Sequence, residues 1–213
     1  MGQKVNPHGY RLGVNKTWES RWLFPDKKVF RTFLLEDIKI REGIMKKFNF
    51  AAVTQVEIER AINKITIIIH AVKPGMIIGR GGKGLEDVKK FIDETINKTS
   101  KTNTKIKTDF KIEPVKQPFL NAQYVAADIA GKLVHNLPHR RVVHLTMDKV
   151  MESGAKGVKI QLGGRIGGAV ISRIEKSHKG TVSTSTLRED IDFARYPALT
   201  KSGYVGIKVW IAR

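Results

Sequence analysis

Apolar and polar residues alternate over Val53-Thr54-Gln55-Val56-Glu57-Ile58-Glu59-Arg60, and Ile65 to Ala71 is a β-branched run, which together predict two strands joined by a turn at Ala61-Ile62-Asn63-Lys64. Before them, Phe30, Phe33, Leu34, Leu35, Ile38, Ile44, Met45, Phe48 and Phe50 predict one or two helices around Gly43. After them, Pro74 to Ile78 reads as a short helix begun by proline. Leu85, Val88, Phe91, Ile92, Thr95 and Ile96 then recur at helical spacing, followed by a polar loop from Asn97 to Lys101 and a strand from Lys105 to Ile112.

Pro114 and Pro118 resist regular structure and mark a linker at 114–118. Beyond it, Phe119 to Asn136 and Pro138 to about Ser153 carry helical periodicity, and four strand-like runs follow: 158–162, 169–176, 186–193 and 204–211. The pattern predicts an α+β chain. A basic arm (1–30) leads into a helix-strand-strand-helix-helix-strand domain with a three-stranded sheet (31–113). After the linker, a C-terminal α+β domain (119–213) sets two helices on a four-stranded, mostly antiparallel sheet.

Chemistry concentrates in Lys73-Pro74-Gly75-Met76-Ile77-Ile78-Gly79-Arg80-Gly81-Gly82-Lys83-Gly84-Leu85. Glycines permit close backbone approach, a helix start leaves N–H groups unpaired, and Arg80 and Lys83 add positive charge, so the loop suits phosphates. The letters Gly79-x-Gly81-x-x-Gly84 fit a dinucleotide fingerprint, but the Pro74 to Ile78 segment intervenes between the strand and the first glycine, and no acidic residue stands near position 104. A P-loop fails as well, since Ile77 stands where its first glycine belongs and no Ser or Thr follows Lys83. The layout instead resembles a type II KH domain, whose G-x-x-G loop grips the backbone of about four nucleotides while apolar side chains face the bases.

Thirty-nine Lys and Arg against twenty Asp and Glu leave a net charge of +19, spread along the chain, which points to a polyanionic partner for both halves. No apolar run approaches the roughly 20 residues that span a bilayer. Cysteine is absent, which removes disulfides and thiolate metal sites. The first residues carry no apolar core of a secretion signal, and the expectation is a cytoplasmic protein. In the arm, basic residues alternate with Tyr10, Trp18, Trp22 and Phe24, a mixture suited to ordering on nucleic acid, with rings that can stack on bases or pack against the domain.

Six motifs taken in order resemble the family of bacterial small ribosomal subunit protein three: Met1-Gly2-Gln3-Lys4-Val5-Asn6-Pro7; the KH loop; Gly154-Ala155-Lys156-Gly157; Gly163-Gly164-Arg165-Ile166-Gly167-Gly168-Ala169; Thr186-Leu187-Arg188-Glu189-Asp190-Ile191-Asp192; and Gly206-Ile207-Lys208-Val209-Trp210-Ile211. The resemblance implies a non-enzymatic constituent of the small-subunit head, bound to small-subunit ribosomal RNA and to proteins ten and fourteen, with one face at the entrance of the messenger RNA channel. It implies an RNA-binding loop of Lys73, Gly79, Arg80, Gly81, Gly82 and Lys83. It also implies a messenger-channel cluster of Arg140, Arg141 and His144, and ribosomal RNA contacts at Lys4, Asn6, Pro7, Arg11, Arg165, Arg173 and Lys176. Two departures matter: His144, a residue type mostly neutral at pH 7, stands at a basic position of the channel helix, and Gly81 replaces the second basic residue of the loop pair.

Catalytic patterns are not met. His135 and His139 lie four apart, but Pro138 interrupts the helix between them and no carboxylate is nearby, so neither metal nor cofactor is expected. The Ser183-Thr184-Ser185-Thr186 run has no His and Asp pair placed to activate it, and the sign-alternating Arg188, Glu189, Asp190 and Asp192 suit a solvated or internally paired face. The competing class, an assembly enzyme that reaches RNA through a KH module, would need its own nucleotide site, and no Walker lysine exists.

Overall fold

A computed structural model of the chain describes residues 4–61, 64–99 and 107–213. Ile62 and Asn63 of the expected hairpin turn, Ser100 and Lys101 of the polar loop, Lys105 and Ile106 of the following strand, and Met1 to Gln3 lie outside the described residues. The chain forms two compact units, Trp18–Lys116 and the N-terminal residues to Thr17 together with Gln117–Arg213. The stretch read as one basic arm is thus shared between the units.

Residues 4–17 contain a one-turn helix, α1 (Pro7–Tyr10), started by Pro7 and capped by the Asn6 side chain, which accepts the His8 N–H at 2.9 Å. In the other unit, β1 (Ser20–Arg21) pairs parallel with β2 (Val53–Ala61), which pairs antiparallel with β3 (Lys64–Ala71), and β3 pairs parallel with β4 (Lys107–Pro114). Three helices complete it: α2 (Lys27–Lys47), α3 (Pro74–Ile78) and α4 (Lys83–Thr99). The α2-β2-β3-α3-α4-β4 order is that of the expected type II KH domain.

Helix α2 starts where the Asp26 carboxylate accepts the Lys28 N–H. It runs unbroken through Gly43, so the residues at 30–47 make one helix rather than two. Gly43 is there for packing: a Cβ would lie 2.2 Å from Cζ of Phe91 on α4. Asn97 to Thr99 belong to α4 and not to a loop. Ile40 and Ile44 of α2, Val56 and Ile58 of β2, Ile65, Ile67 and Ile69 of β3, and Val88 and Ile92 of α4 form the core. Each such side chain stabilises the unit by roughly 1.5–3 kcal/mol.

One buried charge cluster fixes residues 18–24 to this unit. Arg60 donates to Asp37 Oδ1 at 2.6 and 2.9 Å and to Glu36 Oε2 at 2.9 Å, and the Trp22 indole N–H donates to Asp37 Oδ2 at 2.7 Å. The Arg60 guanidinium also lies 4.6 Å from the Phe33 ring centroid. Trp22, Phe24, Phe30 and Phe33 pack together around it, so these aromatics are structural rather than free for bases.

In the C-terminal unit, α5 (Ala122–Val134) and α6 (His139–Glu152) cover one face of a sheet of β5 (Gly157–Gly164), β6 (Arg173–Gly180), β7 (Ile191–Thr200) and β8 (Gly203–Ala212), in the order β6-β5-β8-β7. All three pairings are antiparallel. Two strands start later than their patterns predict. Positive-φ Gly167 and Gly168 turn the chain, so β6 begins at Arg173 and not at Ala169. Residues 181–190 are a loop whose carbonyls serve the N-terminal arm: Arg11 donates to the carbonyls of Thr184, Thr186 and Glu189, and Asn15 to those of Leu187 and Arg188.

Asp192 joins three segments. Its carboxylate meets the His8 ring at 2.9 Å, the Ala122 N–H at the start of α5 at 2.8 Å, and the Arg213 guanidinium at 3.0 Å. Burial pushes this carboxyl up, but the His8 hydrogen bond, the Ala122 N–H and Arg213 outweigh burial and hold it down at about 2.

Candidate nucleic-acid interface

The glycine loop of the KH unit divides by geometry into packing and presenting positions. Gly84 sits where a Cβ would lie 2.1 Å from the Ile77 carbonyl oxygen, so only glycine lets the start of α4 rest on α3. Gly79 has φ 69° and ψ 178°, a region open essentially to glycine alone, and reverses the chain between the helices. Gly81 and Gly82 also have positive φ but face open space, with no atom within 4 Å of the place a Cβ would take.

The backbone at Gly81 and Gly82 is therefore bare, next to the start of α4, whose first N–H groups have no intrahelical acceptor. Exposed Lys73 and Lys83 stand at either end of the loop, and neither has a carboxylate partner among the described residues. Met76 and Ile78, 48% and 39% exposed, flank it on α3. Cations, bare amides and two exposed apolar side chains together can hold a phosphate backbone and pack against bases.

Helix α6 presents a second cationic surface. Val142, Val143, Thr146, Met147 and Val150 are buried, which turns Arg140, Arg141 and His144 outward. Among the described residues, none of the three has an ion-pair partner. Exposed Leu145 lies beside them.

The expected ribosomal RNA contacts do not form one group. Arg11 is a correction: it is completely buried, and its guanidinium is occupied by the carbonyls of Pro7, Thr184, Thr186 and Glu189. It fastens the arm and is closed to RNA. Pro7 is buried as well, and Asn6 caps α1. Arg165 is exposed but donates to the carbonyls of Ala169 and Ser202, and exposed Arg173 pairs with Glu175 at 2.8 Å. Lys4 and Lys176 border one trough on the face of the sheet away from α5 and α6. Arg195 and Lys208 border it too, and Lys159 stands on the same face. Sequence reasoning passed over these three, although the period-two pattern of β5, β7 and β8 carried the signal.

Known proteins resemble this chain along its whole length. Residues 39–118 match the family described as KH domain, and residues 129–211 match the family described as Ribosomal protein S3, C-terminal domain. The protein named "Small ribosomal subunit protein uS3" of Clostridium acetobutylicum is 43% identical over 211 residues, covering 99% of this chain and 91% of the relative. Its namesake in Pediococcus pentosaceus is 44% identical over 213 residues, covering 100% and 91%. That of Clostridioides difficile is 44% identical over 211 residues, covering 99% and 75%.

Proposed function

The chain belongs to the family of small ribosomal subunit protein uS3, and from that premise we propose that it is a structural, RNA-binding constituent of the small ribosomal subunit that also helps hold messenger RNA. In this reading it resides on cytoplasmic ribosomes, in the small-subunit head, beside proteins ten and fourteen. The KH loop grips ribosomal RNA through the bare amides of Gly81 and Gly82 with Lys73, Arg80 and Lys83. Arg140, Arg141 and His144 face the entrance of the messenger channel and hold a single strand by its phosphates, resisting slippage and re-pairing.

The observation that carries the channel reading is the pair of outward guanidinium groups on α6, Arg140 and Arg141, which have no ion-pair partner among the described residues and are backed by a packed inner face that fixes the helix. Cations that serve only solubility have no need of a rigid common face. The test is translation by ribosomes carrying Arg140→Ala and Arg141→Ala. Subunit incorporation should stay intact while elongation slows selectively on messengers with a hairpin just ahead of the channel, and His144→Lys should have the opposite effect. Equal relative speeds on structured and unstructured messengers would refute the channel role.

A further inference from the structure

The arginines of α6 stand at the least supported end of their helix. Of residues 134–141, from the end of α5 into the first turn of α6, all are exposed except His139, and the first buried side chain of α6 is Val142. Pro138 precedes the helix without a side-chain cap, and no acidic residue stands in the first turn. Arg140 and Arg141 therefore sit side by side at the positive end of the helix dipole, where cations are disfavoured. A helix end of this composition frays unless a tertiary contact holds it.

His139 supplies that contact. It is the first residue of α6, its ring packs on Gly167, where a Cβ would lie 3.6 Å from Nδ1, and its Nε2 stands 3.0 Å from Glu175 Oε2 on β6. That nitrogen is buried and makes no hydrogen bond among the described residues, so the nearby carboxylate is what compensates its loss of water. The other oxygen of Glu175 is held by Arg173 Nε at 2.8 Å, which steadies the carboxylate from its own strand.

A second ion pair, Asp148 with Lys179 at 2.7 Å, ties the same two elements farther along. The spacings agree: from His139 to Asp148 the helix rises about 13.5 Å at about 1.5 Å per residue, and from Glu175 to Lys179 the strand rises about 13 Å at about 3.3 Å. Helix α6 thus runs alongside β6, an edge strand of the sheet, in the same direction and with a pin near each end. The far pin is backed by Met147 and Val150 in the core, whereas the near one holds a turn that has no core residue before Val142.

We propose that His139 and Glu175 are positioning residues for the messenger grip: their contact holds the first turn of α6 against β6 and so sets where Arg140 and Arg141 point. The use of the arginines rests on the channel reading, and the pin rests on the geometry alone. In this role neither residue touches RNA.

The first arm of the test reads the pin without RNA. Hydrogen–deuterium exchange of the Val142 to Leu145 amides, the first in α6 with backbone acceptors, is compared in the full chain for the parent, His139→Ala and Glu175→Gln. Glu175→Gln keeps the size but turns an amide N–H toward either Arg173 or His139. Loss of a partly exposed ion pair should speed exchange about two- to fivefold. His139→Gln, whose amide reaches as far as Nε2, should exchange like the parent, and Asp148→Asn, which breaks the other pin, should leave these amides unchanged.

The second arm uses ribosomes. Small subunits should incorporate His139→Ala and Glu175→Gln like the parent and slow on messengers with a hairpin just ahead of the channel, by less than Arg140→Ala with Arg141→Ala does, with no change on unstructured messengers. Added to that arginine variant, His139→Ala should slow nothing further, because the pin acts only through the arginines it places. Unchanged exchange in both pin variants would overturn the pin whatever the ribosomes do. Faster exchange with parent speed on hairpins, while the arginine variant is slow, would overturn the positioning role. Equal effects of His139→Ala and His139→Gln would make the residue a filler of space and overturn it too. If the arginine variant itself passes hairpins at the parent's relative speed, the channel reading falls, and the exchange arm still decides the pin.

Discussion

Replacing Asp192 by Asn removes the one charge that ties the N-terminal arm, the start of α5 and the C-terminal Arg213 together. A tenfold change in a proton equilibrium is worth about 1.4 kcal/mol. Holding this carboxyl from its ordinary 3.8 down to about 2 therefore contributes roughly 2.5 kcal/mol of stability to the C-terminal unit at neutral pH. The sign follows from the direction: a depressed carboxyl stabilises the fold above its unfolded value near 3.8, and that contribution is lost as pH falls through about 2. Asn keeps the size but turns an amide N–H toward donors, so its loss at neutral pH should be at least as large. The measurement is urea unfolding followed by tryptophan fluorescence in a Trp18→Phe, Trp22→Phe background, where Trp210 alone reports on the C-terminal unit. The parent should exceed the Asn variant by roughly 2–3 kcal/mol at about pH 7, and the gap should shrink to below about 1 kcal/mol near pH 2. A gap that is absent at neutral pH, or constant down to about pH 2, would refute the assignment of Asp192 as an ionised buried hub.

Two predictions concern the KH loop. Arg80→Asp with Gly81→Asp sets two anions at an open loop while leaving the core untouched, so circular dichroism should be unchanged and RNA affinity reduced, with a shallower salt dependence; unaltered binding by the folded variant would leave the loop a mere turn. Gly84→Ala places a methyl against the Ile77 carbonyl and should cost about 1–3 kcal/mol in thermal or urea unfolding as α3 and α4 separate, whereas Gly81→Ala, strained only by its positive φ, should cost about 1 kcal/mol. Equal stability losses at the two positions would contradict the division of the loop into packing and presenting glycines.

Local pattern by itself determined much of this protein. Alternation over 53–60 and the β-branched run to Ala71 placed β2 and β3, and helical spacing placed α4, α5 and α6 within a few residues. The glycine loop and its flanking cations were legible because their chemistry is contiguous in the chain. The set on α6 came from the family resemblance, and three- and four-residue spacing adds only that its members can share one helix face. Only the tertiary structure decided matters that depend on distant partners. Arg11 reads as one more surface cation, yet it is buried by the carbonyl of Glu189, 178 residues away, and that contact also keeps residues 186–190 from joining the strand their alternation suggests. Gly43 leaves one helix or two open in the sequence, and only the Phe91 ring packed on it shows why a glycine sits inside a single helix. The sequence leaves open whether Trp22 and Phe24 stack on bases or pack against the domain; the structure packs them with Phe30 and Phe33 beside Arg60 and Asp37, while Trp18 stays exposed. The trough on the sheet face away from α5 and α6 takes one cation from each of β6, β8 and β7, and no window of sequence contains it. Periodicity reports which side of an element a residue occupies, whereas register and long-range hydrogen bonds decide what stands beside it.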